Sequence, residues 1–128
     1  RELGLGPSVL DAFHYLPTEL ATGGNNVLMH EHLDPGFLTL EPRASAAGLQ
    51  VLDLVTSEWR FVEPDLGEAD LLVFACEALE RVTKGAIKGS LHRVASPSTP
   101  SPDRLAIAYE LRNLHPRFEE HRLGVPSA

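Results

Sequence analysis

His32-Leu33-Asp34-Pro35-Gly36-Phe37-Leu38-Thr39-Leu40 is the stretch on which the reading of this chain turns. A histidine and a carboxylate stand two residues apart, a Pro-Gly break follows, and an apolar run comes next. On an extended strand, residues two apart project to the same side, so His32 and Asp34 can reach one point without distorting the backbone. Pro35 reinforces this, because the residue before a proline is pushed towards the extended region. A second histidine, His92, stands far along the chain in the strand-like run Leu91–Ser96. Two imidazoles and one carboxylate are the ligand set that holds a non-haem Fe(II) on one face and leaves the opposite positions open. His32, Asp34 and His92 are therefore the expected metal ligands and the expected catalytic centre. His30 lies two positions before His32, on the same face, and offers either a shifted ligand register or a supporting partner. A zinc site using the same ligands with bound water as nucleophile is a further alternative.

The rest of the composition narrows the class. A chain of 128 residues suits one domain and is long enough to bury roughly two thirds of its unfolded surface. Its formal charge of −7 argues against nucleic acid or a membrane surface as partner, since such binding is driven by a basic face. The single cysteine, Cys76, excludes an internal disulfide and a thiolate zinc cluster. It fits a reducing, cytoplasmic setting, and no apolar run or signal segment points to a membrane. The first residue is Arg1, which is expected of a fragment or a processed piece.

Strand-like runs bounded by turn residues dominate the chain. They are Ala12–Leu16, Asn26–His32, Phe37–Leu40, Leu49–Leu52, Trp59–Val62, Leu71–Ala75, Leu91–Ser96 and Leu105–Leu111. Glu2–Leu10 is expected as a short helix or an irregular lead-in, and Glu77–Thr83 as a helical turn or a polar connection. Ser96–Asp103, with its prolines among serines, reads as a solvated loop. The tail from Leu114 is polar and is expected to be poorly ordered. This divides the chain into a lead-in (1–10), a core (11–113) and a tail (114–128). Many short strands with little helix imply a mainly all-β sandwich or barrel.

The opening stretch is similar to the metal-binding strand of the Fe(II)/2-oxoglutarate-dependent dioxygenases, in the branch of isopenicillin N synthase and the plant oxidases. Further features agree in order: Gly48-Leu49-Gln50-Val51, Trp59 with Val62 and Pro64, the apolar run from Leu71 to Glu80, Lys84-Gly85, and Ser90-Leu91-His92-Arg93-Val94. Arg104-Leu105-Ala106 falls where that family has Arg-x-Ser. The resemblance implies a double-stranded β-helix, a jelly roll of two facing sheets with iron near one open end. It implies Fe(II), 2-oxoglutarate and O2 as cofactor and co-substrates, with ascorbate as an optional auxiliary reductant. It implies oxidation of a small organic molecule, a hydroxylation or related reaction through an Fe(IV)-oxo species. Arg104 would anchor the distal carboxylate of 2-oxoglutarate, because a planar guanidinium matches that group with two parallel hydrogen bonds. Family members also carry a helical N-terminal half on the larger sheet, so a missing segment or a partner is expected to cover one sheet face.

Two departures favour a second function class, a non-catalytic jelly-roll module for binding or assembly with a degenerate metal site. The serine after the arginine is Ala106, and the tyrosine that contacts 2-oxoglutarate in some members corresponds to Leu16. Tyr15 is left as the candidate substrate or co-substrate contact, with strand packing as its simpler role. Arg104 is otherwise solvated charge, Arg93 points to the face opposite His92, Glu77 and Glu80 are solvated loop charge, and Cys76 is a small buried residue. His14, His115 and His121 read as surface or satisfied residues.

Overall fold

The structure, a computed structural model, describes residues 6–17, 27–98 and 100–112. The tail from Leu114, together with His115 and His121, lies outside the described residues. Eight strands follow in chain order: β1 (Val9–Tyr15), β2 (Val27–His32), β3 (Leu38–Pro42), β4 (Leu49–Asp53), β5 (Glu58–Phe61), β6 (Leu71–Ala75), β7 (His92–Ala95) and β8 (Arg104–Leu111). Among the described residues a 3-10 turn at Glu63–Asp65 and one short helix, α1 (Glu77–Val82), interrupt them. The strands form two four-stranded sheets ordered β1-β8-β3-β6 and β2-β7-β4-β5. All pairs are antiparallel. This is the jelly roll of two facing sheets that the sequence implies, and the chain is mainly β.

The end of the expected lead-in is corrected. Val9 and Leu10 are not helical; they pair with Glu110 and Tyr109 as the start of β1. A β-branched and a leucine side chain, opposite a long partner strand, gain more from a ladder than from an isolated helical turn.

Strand alternation sorts the side chains into an inner and an outer set. Asp11, Phe13 and Tyr15 of β1, Thr39 and Glu41 of β3, and Arg104, Ala106, Ala108 and Glu110 of β8 line the space between the sheets. Apolar side chains face outward on the same sheet: Leu10 of β1, Leu105 and Ile107 of β8, and Leu71 and Val73 of β6 are each about half or more exposed.

The segment between β2 and β3 is fixed from three directions. Two backbone N–H groups of the first turn of α1, those of Glu77 and Ala78, donate to the carbonyls of Asp34 and Gly36 at 2.8 and 2.9 Å. Those donors have no partner within a helix, so α1 and the loop satisfy each other. The Glu110 carboxylate accepts from Gly36 N at 2.6 Å. A Cβ at Gly36 would stand 2.5 Å from the Leu111 carbonyl, so the Pro-Gly break permits a backbone approach that no other residue allows.

Candidate metal centre and its cavity

Strand β2 does not run in even register along β7. The pairs are Val27↔Ala95, Met29↔Val94 and His32↔His92, with a shift between each. Extra residues of this kind re-aim side chains, and here they set His32 directly opposite His92, with ring centroids 4.4 Å apart. The expectation that His32 and Asp34 share one strand is corrected. His32 ends β2, and Asp34 lies in the loop beyond it. The bulges and the pinned loop, rather than simple alternation, bring the carboxylate round.

One ligand atom each from His32, Asp34 and His92 lie within 4.8 Å of one another. Asp34 Oδ1 is 3.4 Å from His32 Nε2 and 3.6 Å from His92 Nε2. The other ring nitrogens show how these groups are set. His32 Nδ1 donates to the His30 carbonyl at 2.8 Å, and His92 Nδ1 donates to the Ser90 carbonyl at 2.9 Å. A carbonyl only accepts, so each Nδ1 carries a proton, and Nε2 is the ring atom turned to Asp34 in both histidines. Two ring nitrogens and one carboxylate oxygen thus converge, a donor set that suits a divalent cation. Fixing the ligand tautomer through the remote nitrogen is how proteins orient metal-binding histidines.

Burial lowers the pKa of His92, which is 6 % exposed, while the Ser90 carbonyl and Asp34 oppose that shift. Its ring therefore stays neutral, as a metal ligand must. Asp34 has its second oxygen occupied: Thr39 Oγ1 donates to Oδ2 at 2.5 Å, which leaves Oδ1 facing the histidines. Phe74 packs against His92 at 4.9 Å between ring centroids. The residues present thus fit a divalent cation held by two nitrogens and one carboxylate oxygen, with the remaining side facing a cavity.

That cavity lies between the two sheets and is lined by side chains of both. Arg104 lies on its wall and is 2 % exposed, so it is not solvated charge. Its Nε donates to the Ala46 carbonyl at 3.1 Å and its Nη2 to Glu63 Oε1 at 2.9 Å, with Glu41 Oε1 3.8 Å from Nη2. Glu63 also accepts from the backbone N–H groups of Gly48 and Leu49 at 3.2 and 2.9 Å. Gly48 gives the arginine its place: a Cβ there would stand 2.6 Å from both Cδ and Nε of Arg104.

Glu41 is 9 % exposed, and burial pushes its pKa up to about 7 against the pull of Arg104; Glu63 and Asp34 add to the rise. The Tyr15 ring lies 5.2 Å from the Arg104 guanidinium carbon, and burial raises its phenol pKa. Tyr15 lines the cavity, whereas Leu16 is 67 % exposed. Ala106 also lines the cavity and is 5 % exposed.

Other residues fall outside this centre. The His30 side chain is exposed, and only its carbonyl contributes. His14 pairs with Asp103 on the surface at 2.6 Å. Arg93 stacks on Trp59 at 4.2 Å and donates to Gln50 at 2.7 Å, away from the metal-ligand set. Glu77 and Glu80 are not loop charge; they belong to α1. Glu80 accepts from Gly89 N at 2.7 Å and from Lys88 Nζ at 3.1 Å, and so steadies the approach to His92. Thr39, Glu41 and Glu63 are contributors that the sequence reading misses. For the first two a signal exists, since the alternation of β3 puts them on one face; a lone glutamate between Val62 and Pro64 gives none.

Two facing sheets with two histidines and an aspartate converging on the wall of the cavity between them define a jelly roll with a candidate metal centre. The sequence profile of the 2OG-Fe(II) oxygenase superfamily matches residues 9–113, and the chain belongs to that family. Its relatives include clavatol oxidase claD of Penicillium crustosum, 37 % identical over 62 % of this chain and 22 % of that protein. The 2-oxoglutarate-dependent dioxygenase citB of Monascus ruber is 29 % identical over 84 % of this chain and 36 % of its own length. Among solved structures, a full-length Neurospora crassa protein in complex with alpha-KG and 5-formyluracil superimposes with a TM-score of 0.72 at 29 % identity, covering 84 % of this chain and 36 % of that one. The chain thus spans about a third or less of the length of these relatives. No helix among the described residues is long and apolar enough to cross a membrane.

Proposed function

We propose that this chain carries the Fe(II)- and 2-oxoglutarate-binding centre of an oxygenase that oxidises a small organic molecule. The observation that carries the reading is the convergence of His32, Asp34 and His92, with both Nδ1 protons tied to carbonyls and both Nε2 atoms facing Asp34 Oδ1. His32, Asp34 and His92 are the metal ligands in this reading. When bound, the iron with 2-oxoglutarate and oxygen supplies the oxidising chemistry. The protein's own part is to bind, orient and exclude. Thr39 holds Asp34 in a one-oxygen ligand pose, and Phe74 walls His92 from water. Arg104 anchors the distal carboxylate of the co-substrate, and Tyr15 lies beside it. The apolar outer face of β1, β8 and β6 fits coverage by a further segment or a partner, since an exposed face of this kind favours association. Cys76, with no disulfide partner, fits a cytoplasmic setting.

The test is aerobic turnover with Fe(II) and 2-oxoglutarate. Formation of succinate that depends on both, and that His92→Ala abolishes, is the expected result. Absence of succinate with every candidate substrate, together with absence of uncoupled turnover, would reject the reading. One observation favours the second reading, a non-catalytic binding module: the arginine expected to anchor the co-substrate already has a carboxylate partner in Glu63.

A further inference from the structure

Arg104 is more heavily committed to the protein than an open anchor would be. Its Nε is held by the Ala46 carbonyl and its Nη2 by Glu63, while Glu41 Oε1 lies 3.8 Å from that same Nη2. Nη1 has no hydrogen-bond partner among the described residues. Glu63 is 3 % exposed and is held by two backbone N–H groups besides the guanidinium. Glu41 differs. It makes no hydrogen bond to Arg104, only the longer ion pair, and it lines the cavity. Two carboxylates therefore face one guanidinium, and a third, arriving on a ligand, would meet a corner that is net negative.

We propose that Glu41 is a specificity-determining residue of this cavity, a resident carboxylate that competes with the distal carboxylate of a 2-oxo dicarboxylate for Arg104, while Glu63 is the positioning residue that holds the guanidinium with Nη1 free. The inference rests on the reading of Arg104 as co-substrate anchor. Its consequence is a site that discriminates weakly between 2-oxo acids with and without a second carboxylate. The charged and titratable groups facing Glu41 are Arg104 from β8, Glu63 from the 3-10 turn, Asp34 from the loop after β2 and Tyr15 from β1. None of these except Arg104 can neutralise it when ionised.

The experiment is calorimetric titration of the Mn(II)-loaded chain at pH 8 with 2-oxoglutarate and, separately, with 2-oxobutyrate, which lacks the distal carboxylate. Glu41→Gln and Glu41→Thr are read in parallel, so that one folded variant suffices, with folding checked by thermal unfolding. The expected result is that 2-oxoglutarate binds about tenfold more tightly to the variants, a modest change for removing a like charge a few ångströms from a ligand group. Binding of 2-oxobutyrate should stay within about twofold. Unchanged or weakened 2-oxoglutarate binding, or an equal gain for both acids, would overturn the proposal. Arg104→Met separates the two layers. If it leaves 2-oxoglutarate affinity unchanged, the anchor reading itself fails; if it weakens binding while the Glu41 variants do nothing, only the competition fails.

Discussion

Glu41 gives a stability prediction whose sign and size follow from its surroundings. In the unfolded chain its carboxyl ionises near the ordinary value of 4.5, and in the folded protein burial delays this to about 7. Between those values the native state holds a proton that the unfolded state has released, so stability falls as pH rises through that window. Each pH unit of separation is worth roughly 1.4 kcal/mol, and the interval from 4.5 to about 7 therefore costs about 3 kcal/mol once Glu41 is fully ionised. Glu41→Gln keeps the shape and removes the titration. Urea unfolding of both chains, metal-free, from pH 4.5 to pH 8 isolates the effect, because every other titrating group is common to the pair. The variant should gain on the parent by about 3 kcal/mol across the range. A stability difference that stays flat with pH, or that changes in the parent's favour, would refute the reasoning.

Three further outcomes are expected. Thr39→Val removes the hydrogen bond to Asp34 Oδ2 while keeping volume, and should weaken Mn(II) binding about 10- to 100-fold, as loss of a ligand's supporting partner does; an unchanged titration would show that Asp34 needs no such support. Gly48→Ala forces a Cβ against Arg104 Cδ and Nε, and urea unfolding should show a loss on the order of 1–3 kcal/mol; a neutral substitution would mean that the arginine is free to move. Cys76 is fully buried and burial pushes its thiol up to about 11, so a disulfide reagent at pH 8 should modify it only after denaturation, whereas rapid reaction in the native chain would contradict the packing.

The strand runs are legible in the sequence because period-two patterning with Gly and Pro breaks is local information. Leu71–Ala75 has the bounds its pattern implies, and β2, β4 and β5 lie within a residue of theirs. The start of β1 escapes such a reading because Val9 and Leu10 are ordered by β8, about a hundred residues away in sequence. The triad residues are legible from residue type and order. What brings them to one point is not: the two register shifts of β2 arise from pairing with β7, and no single residue marks them. Glu63 is invisible for the same reason. A glutamate between Val62 and Pro64 looks solvated until the fold delivers Arg104 and the Gly48–Leu49 backbone to it.

The central claim is tested most directly by titrating the metal-free chain with Mn(II) and following the ion by electron paramagnetic resonance. One saturable site per chain is expected, abolished by His32→Ala, by Asp34→Ala and by His92→Ala in proteins that remain folded. Saturable binding that survives loss of His92, or no binding at all in the parent, would contradict it.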